Sequence, residues 1–183
     1  MKYGQILASA ATTSDHAAAF FRYKELKKSI SKHSGAPITE RISIFEALLN
    51  AEVDRLNAFL ETVVATLEDE LAALDCTTSR LSPHAVLATV LSLGRRCQSA
   101  LCFSECNATA LRKISKKFDK KSASCRTSLQ AVAIGWLQTE PFCVDLPIRL
   151  HLLQDELIRR VSVVQGWAVL QVWAEMQQRA ALL

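Results

Sequence analysis

ISIFEALLNAEVDRLNAFLETVVATLEDELAAL, residues 42–74, decides the fold class. Ile42, Phe45, Leu49, Val53, Leu56, Leu60, Val63, Leu67, Leu71 and Leu74 recur at steps of three and four. Positions so spaced form one apolar stripe along a helix, and the stripe lasts 33 residues. The spacing therefore predicts a single helix, roughly 50 Å long at ~1.5 Å per residue, with a near-heptad seam. Its other faces carry acidic side chains.

The segments on either side read the same way. Asp75–Leu81 is a short polar link, and Ser82-Pro83 is an N-cap followed by proline at the first helical position. The next helix is expected from Pro83 towards Lys120 or Lys121, with Leu87, Val90, Leu91, Leu101, Leu111, Ile114 and Phe118 on its apolar side and Gly94 as a weak point. Two long helices joined by a short link should lie antiparallel. Upstream, a periodic segment runs from about Asp15, with Ser14 or Asp15 as N-cap, to Lys32; Phe20, Phe21, Leu26 and Ile30 are its apolar contacts. The breaker cluster His33–Pro37 ends it. Downstream, a short helix is expected over Ser122–Trp136 and a turn over Thr139–Phe142. One or two helices should follow across Asp145–Leu183, with Gly166 as a bend. No strand is expected. Among 183 residues only five are Gly and four Pro, and half are hydrophobic, a mixture that favours an all-α domain with a substantial core.

The net charge of +4 conceals a polarised distribution. Residues 112–126, RKISKKFDKKSASCR, hold seven basic side chains against one Asp, whereas residues 40–80 hold nine acidic and three basic ones. A concentrated basic patch on a small domain points to a phosphate-bearing partner: nucleic acid, anionic lipid or a small phosphorylated ligand. The N-terminal apolar run is too short and interrupted for a signal peptide, and no stretch approaches 18 uninterrupted apolar residues, so no transmembrane segment is expected. A cytoplasmic or nuclear location is the expectation. The six cysteines then read as free thiols. Cys97, Cys102 and Cys106 fall on one helix without a paired C-x-x-C, which suits buried apolar thiols rather than zinc. The four histidines are scattered, and there is no phosphate loop, serine elbow or HExxH. No enzyme signature, metal site or cofactor is read.

Lys113, Lys116, Lys117 and Lys120 are spaced i, i+3, i+4, i+7, which places four ammonium groups on one helix face within about two turns. Such neighbours repel, and Asp119, the one acid in reach, points about 100° away from Lys120. A basic helix end also suits the helix dipole. The four are expected to gain little from protein partners. Tyr23 and Lys27 form an i, i+4 pair beside Lys24 and Lys28; a phenol and an ammonium can both donate to phosphate oxygens, although an ordinary amphipathic helix carries the same pair.

Three stretches together resemble the SPX domain family. The opening Met1-Lys2-Tyr3-Gly4 with Phe21-Arg22-Tyr23-Lys24-Glu25-Leu26-Lys27-Lys28 is similar to that family's start. Phe45–Phe59, FEALLNAEVDRLNAF, resembles its long third helix, and Asn107–Lys120, NATALRKISKKFDK, its fourth-helix signature. Pro141-Phe142 falls where the family often has such a pair, while His16 stands where it carries an aromatic. The match covers about residues 1–160 in order, leaving 161–183 as a C-terminal helical extension. The resemblance implies an N-terminal helical hairpin packed on a three-helix bundle with two long antiparallel helices. It implies a non-catalytic sensor of cellular phosphate status whose ligand is inositol hexakisphosphate or an inositol pyrophosphate. Carried over residue by residue, the anion site would be Tyr23, Lys27, Lys113, Lys116, Lys117 and Lys120, with Lys2 facing the ligand as well. The implied partner is a protein, such as a MYB-type transcription factor or a fused or associated phosphate transporter or polyphosphate polymerase. Direct nucleic-acid or anionic-membrane binding is the rival expectation.

Overall fold

The computed structural model describes the backbone of residues 3–12, 16–77, 81–122 and 129–180, and the side chains of 3–12, 16–74, 81–122, 129 and 131–166. Within them the element order is α1 (Tyr3–Thr12), a 3₁₀ turn (Ala17–Ala19), α2 (Tyr23–Lys32), α3 (Ile38–Thr77), α4 (Pro83–Lys121), α5 (Leu129–Thr139) and α6 (Asp145–Ala180). No strand occurs among the described residues, and none of their helices is long and apolar enough to cross a membrane. The chain is all-α. It gathers into two compact units, Met1–Val63 with Ser99–Ile148, and Val64–Gln98 with Arg149–Leu183.

The 40-residue α3 contains the whole predicted stripe. Its buried residues are Phe45, Leu49, Val53, Leu56, Leu60, Val64, Leu67, Leu71 and Leu74. These advance 29 residues in eight steps, the 3.6 repeat of a straight helix rather than 3.5. That drift is why Val64 is buried where Val63 was expected, with Val63 only half-buried. At the start of α4, Ser82 caps as expected: its Oγ accepts the Ala85 N–H at 3.2 Å. The apolar side of α4 differs in part. Leu91 is 51% exposed and Leu87 half-buried, while Val86, Leu93, Cys97, Ala100 and Phe103 line the core. α4 passes through Gly94, and α6 through Gly166, without a break.

In the first unit α3 and α4 run antiparallel. Phe45 stacks on Phe118 with centroids 4.4 Å apart, and Phe59 meets Phe103 at 5.1 Å. The N-terminal segment departs from the continuous helix expected from Asp15. Ser14 and Asp15 lie outside the described residues, and the next seven form a 3₁₀ turn and an extended link. The physical reason is that Phe20 and Phe21 are adjacent and both buried, which a helix could not achieve on one face. Buried polar side chains replace the lost helical hydrogen bonds. The Phe21 N–H donates to Asn107 Oδ1 at 2.7 Å, and the Arg22 N–H to Glu52 Oε2 at 3.1 Å. Arg55 donates to the carbonyls of Ala19 and Phe20 at 2.9 and 3.0 Å. His16 sits edge-on to Phe59 and Phe103, at 5.4 and 5.8 Å, and so occupies an aromatic's place.

At the other side of this unit, the Phe142 N–H donates to Asn57 Oδ1 at 3.0 Å, Asn57 donates to Glu140 at 2.8 Å, and the Ser104 hydroxyl donates to the Phe142 carbonyl. Phe142 itself is fully buried, so the turn after α5 is held by both long helices. α5 ends at Thr139, three residues beyond the expected Trp136. In the second unit α3, α4 and α6 make a three-helix arrangement. Leu67, Leu71 and Leu74 are buried with Val86, Val90, Leu93, Leu153, Leu157 and Val164. Forked ion pairs, Arg96 with Glu70 and Arg149 with Glu68, tie α4 and α6 to α3.

Candidate anion-binding site

Tyr3, Gly4 and Gln5 of α1, Tyr23, Lys24 and Lys27 of α2, and Lys117 of α4 line one open cleft of about 300 Å³ in the first unit. The fold brings these together because the extended link places the first turn of α2 beside the first turn of α1. The rings of Tyr3 and Tyr23 meet edge-on, 5.9 Å apart. A Cβ added at Gly4 would lie 3.3 Å from the Tyr23 ring, so the absence of a side chain there permits the close approach. The expected hairpin is therefore a helix pair whose first turns touch.

Of the expected site residues, Tyr23, Lys27 and Lys117 share the cleft. Lys113 lies at its margin, with its Nζ 4.0 Å above the centre of the Tyr3 ring. This corrects the expectation that the α4 lysines gain little from protein partners: a cation over an aromatic face is attracted by the ring quadrupole. Lys116 and Lys120 are exposed on α4 and do not line the cleft. Lys2 lies outside the described residues. Lys121 donates to Ser31 Oγ at 3.3 Å, linking the far ends of α2 and α4. Asp119 does not serve the lysine row alone; its Oδ1 accepts the Leu129 N–H at 3.0 Å and so caps α5.

The phenols are set as donors. Burial pushes Tyr3 up to about 12, and Tyr23 is raised by burial as well, so both remain protonated at neutral pH. The Tyr3 hydroxyl donates to the Cys106 carbonyl at 2.7 Å, which anchors α1 on α4. Tyr3, Gln5 and Lys24 were not among the expected site residues. Tyr3 carried a signal, an aromatic between Lys2 and Gly4 at the start of the resemblance, but its contact with Lys113 is 110 residues distant in sequence. What the arrangement can do is bind an anion: it offers ammonium groups and phenols around an open cleft, and no acidic side chain among the described residues lines it.

The thiols divide. Cys97 is buried as expected, but Cys102 is exposed and Cys106 and Cys143 are intermediate, because α4 turns Cys102 outward. Burial raises Cys97 and Cys106 and takes Cys143 to about 12, the unreactive side of the thiol range. Among the described residues no group of three or more His, Cys, Asp or Glu is placed to hold a metal ion. Cys76 and Cys125 lie outside the residues whose side chains are described.

The chain is thus an all-helical protein with a lysine- and tyrosine-lined cleft formed by its two N-terminal helices and α4. The chain is 33% identical over 146 residues to SPX domain-containing protein 3 of Arabidopsis thaliana, an alignment spanning 72% of this chain and 56% of that protein. It is 30% identical over 154 residues to SPX domain-containing protein 5 of Oryza sativa subsp. indica, over 78% of this chain and 59% of that one. In structure it is similar to the SPX domain of Chaetomium thermophilum glycerophosphodiester phosphodiesterase 1, solved in complex with inositol hexakisphosphate. The TM-score there is 0.73 at 21% identity, covering 90% of this chain and all but 1% of that domain. No family model matches the chain. In sequence and in fold this chain is similar to SPX domains. It spans little more than half the length of the two curated relatives.

Proposed function

We propose that this chain is a non-catalytic sensor domain that binds inositol hexakisphosphate or an inositol pyrophosphate in the Tyr23–Lys27–Lys117 cleft and reports phosphate status to a protein partner. The observation that carries this reading is the convergence of Tyr23 and Lys27 of α2 with Lys117 of α4 on one cleft, with Lys113 at its edge. Lys116 and Lys120 extend the same basic face into solvent, where a ligand with six or more phosphates reaches them. The fold is that of a domain solved with inositol hexakisphosphate bound, and the curated relatives carry the SPX name. The concave cleft favours a compact polyanion over a nucleic-acid or membrane surface. The sensor spans residues 1–160, with 161–183 its helical extension. It acts in cytoplasm or nucleus on a protein such as a MYB-type transcription factor, or as the regulatory part of a phosphate transporter or polyphosphate polymerase.

Calorimetry across a graded series, from free phosphate through inositol hexakisphosphate to pyrophosphates, tests this. Affinity should rise steeply with phosphate number and fall when Lys27 or Lys117 is replaced by Ala. Equal affinity for the hexakisphosphate in wild type and in the Lys27→Ala and Lys117→Ala variants would overturn the site. Tighter binding to DNA or anionic vesicles than to the hexakisphosphate would overturn the ligand class.

A further inference from the structure

The second unit carries an apolar groove of about 430 Å³ between α4 and α6 that the anion site does not use. Leu91 and Gly94 of α4 and Ile158 and Val161 of α6 lie along it, with Arg95 on one wall and Asp155 on the other. Leu91 is 51% and Ile158 64% exposed, which places two large aliphatic side chains in water. Gly94 is the informative residue. A glycine inside a helix costs about 1 kcal/mol relative to alanine. Here the backbone does not need it: its φ is not positive, and a Cβ there would meet nothing within 4 Å. Gly35, Gly135 and Gly166 also face open space, but Gly94 lines this groove. A missing side chain that the chain's own packing does not require suits the close approach of something outside the chain.

We propose that the groove is a self-association surface, occupied by the same groove of a second copy of this chain. The argument is charge complementarity. Arg95 and Asp155 are both exposed, and neither has an ion pair among the described residues. One positive and one negative wall flanking an apolar floor is a self-complementary pattern. About a two-fold axis along the groove, Arg95 of each copy meets Asp155 of the other, Leu91 and Ile158 leave water, and α6 of each copy approaches α4 of the other at Gly94. The small apolar area fits a weak, concentration-dependent dimer rather than an obligate one.

Sedimentation velocity without ligand, from about 10 μM to about 1 mM, tests this. The wild-type mass should climb with concentration from the 20.2 kDa of one chain towards twice that value. Gly94→Leu should fold normally and melt no lower, because the space is open, yet raise the dimer Kd at least tenfold; Gly135→Leu, away from the groove, should leave the Kd unchanged. Arg95→Asp and Asp155→Arg should each weaken the dimer severalfold, and the double reversal should restore it. The proposal is overturned by a wild type that stays monomeric throughout, which would leave the groove to a different chain. It is equally overturned if Gly94→Leu dimerises like wild type, or if the double reversal is no tighter than the single variants.

Discussion

Tyr3 and Lys113 show how one residue pair changes an expectation. On the helix wheel Lys113 is one of four mutually repelling charges, and its removal should cost nothing. In the fold it rests on the Tyr3 ring, and Tyr3 is itself fastened to Cys106. A double-mutant cycle with Tyr3→Leu and Lys113→Ala should therefore show a coupling of about 0.5–1 kcal/mol by thermal or urea melts of the free protein. A coupling near zero would mean that the ammonium and the ring ignore each other in solution. Tyr23 makes a separate prediction. It lines the cleft and its phenol is a protonated donor, so Tyr23→Phe should weaken hexakisphosphate binding by about 0.5–1.5 kcal/mol in calorimetry, with no change in α-helix content. Unchanged affinity would mean that the hydroxyl makes no ligand contact.

At the scale of elements, the link before α2 depends on Glu52. Its side chain is 3% exposed and joins the Arg22 and Arg55 guanidiniums, accepting the Arg22 N–H as well. Burial alone would raise this carboxyl, but the hydrogen bonds from Arg55 and Arg22 outweigh it and hold it below its ordinary value of 4.5. A depressed folded-state pKa contributes stability that is present above 4.5 and lost as pH falls through the folded value. Wild type should thus lose stability on acidification below about pH 4.5, and Glu52→Gln should show a flatter dependence there. At neutral pH Glu52→Gln should cost about 2–3 kcal/mol, less than a fully buried pair because both guanidiniums reach solvent. A melt equal to wild type at pH 7 would show that the extended link is held by Asn107 and the two phenylalanines alone.

For the whole molecule, ligand binding should appear as a thermal shift. At a hundredfold excess over Kd, a ligand bound only by the folded state adds about 2.7 kcal/mol. For a chain of this size that is roughly 5–10 °C. The shift with inositol hexakisphosphate should shrink between 0.1 M and 1 M salt, as the Debye length falls from about 10 Å to about 3 Å and the exposed lysines are screened. A shift that survives 1 M salt intact would place the ligand in a buried site rather than in this open cleft.

The all-α class, the two long helices and the Ser82 cap were legible from the sequence alone because each rests on local periodicity or local hydrogen bonding. So was the basic row, since charge spacing on a helix needs no tertiary knowledge; the family resemblance added Tyr23 and Lys27 to it. Three things were decided only by the tertiary structure. The break before α2 is set by Asn107 and Glu52, which supply hydrogen bonds from 86 and 30 residues away in place of the helix's own. The outward turn of Leu91 and Cys102 follows from where α4 meets its neighbours, since apolar residues and small thiols occur on both sides of that helix. And Tyr3 enters the site through contacts with Lys113 and Tyr23 that exist only once α1 is folded against α2 and α4, because cation–π and edge-to-face attractions act over a few ångströms of space, whatever the separation along the chain.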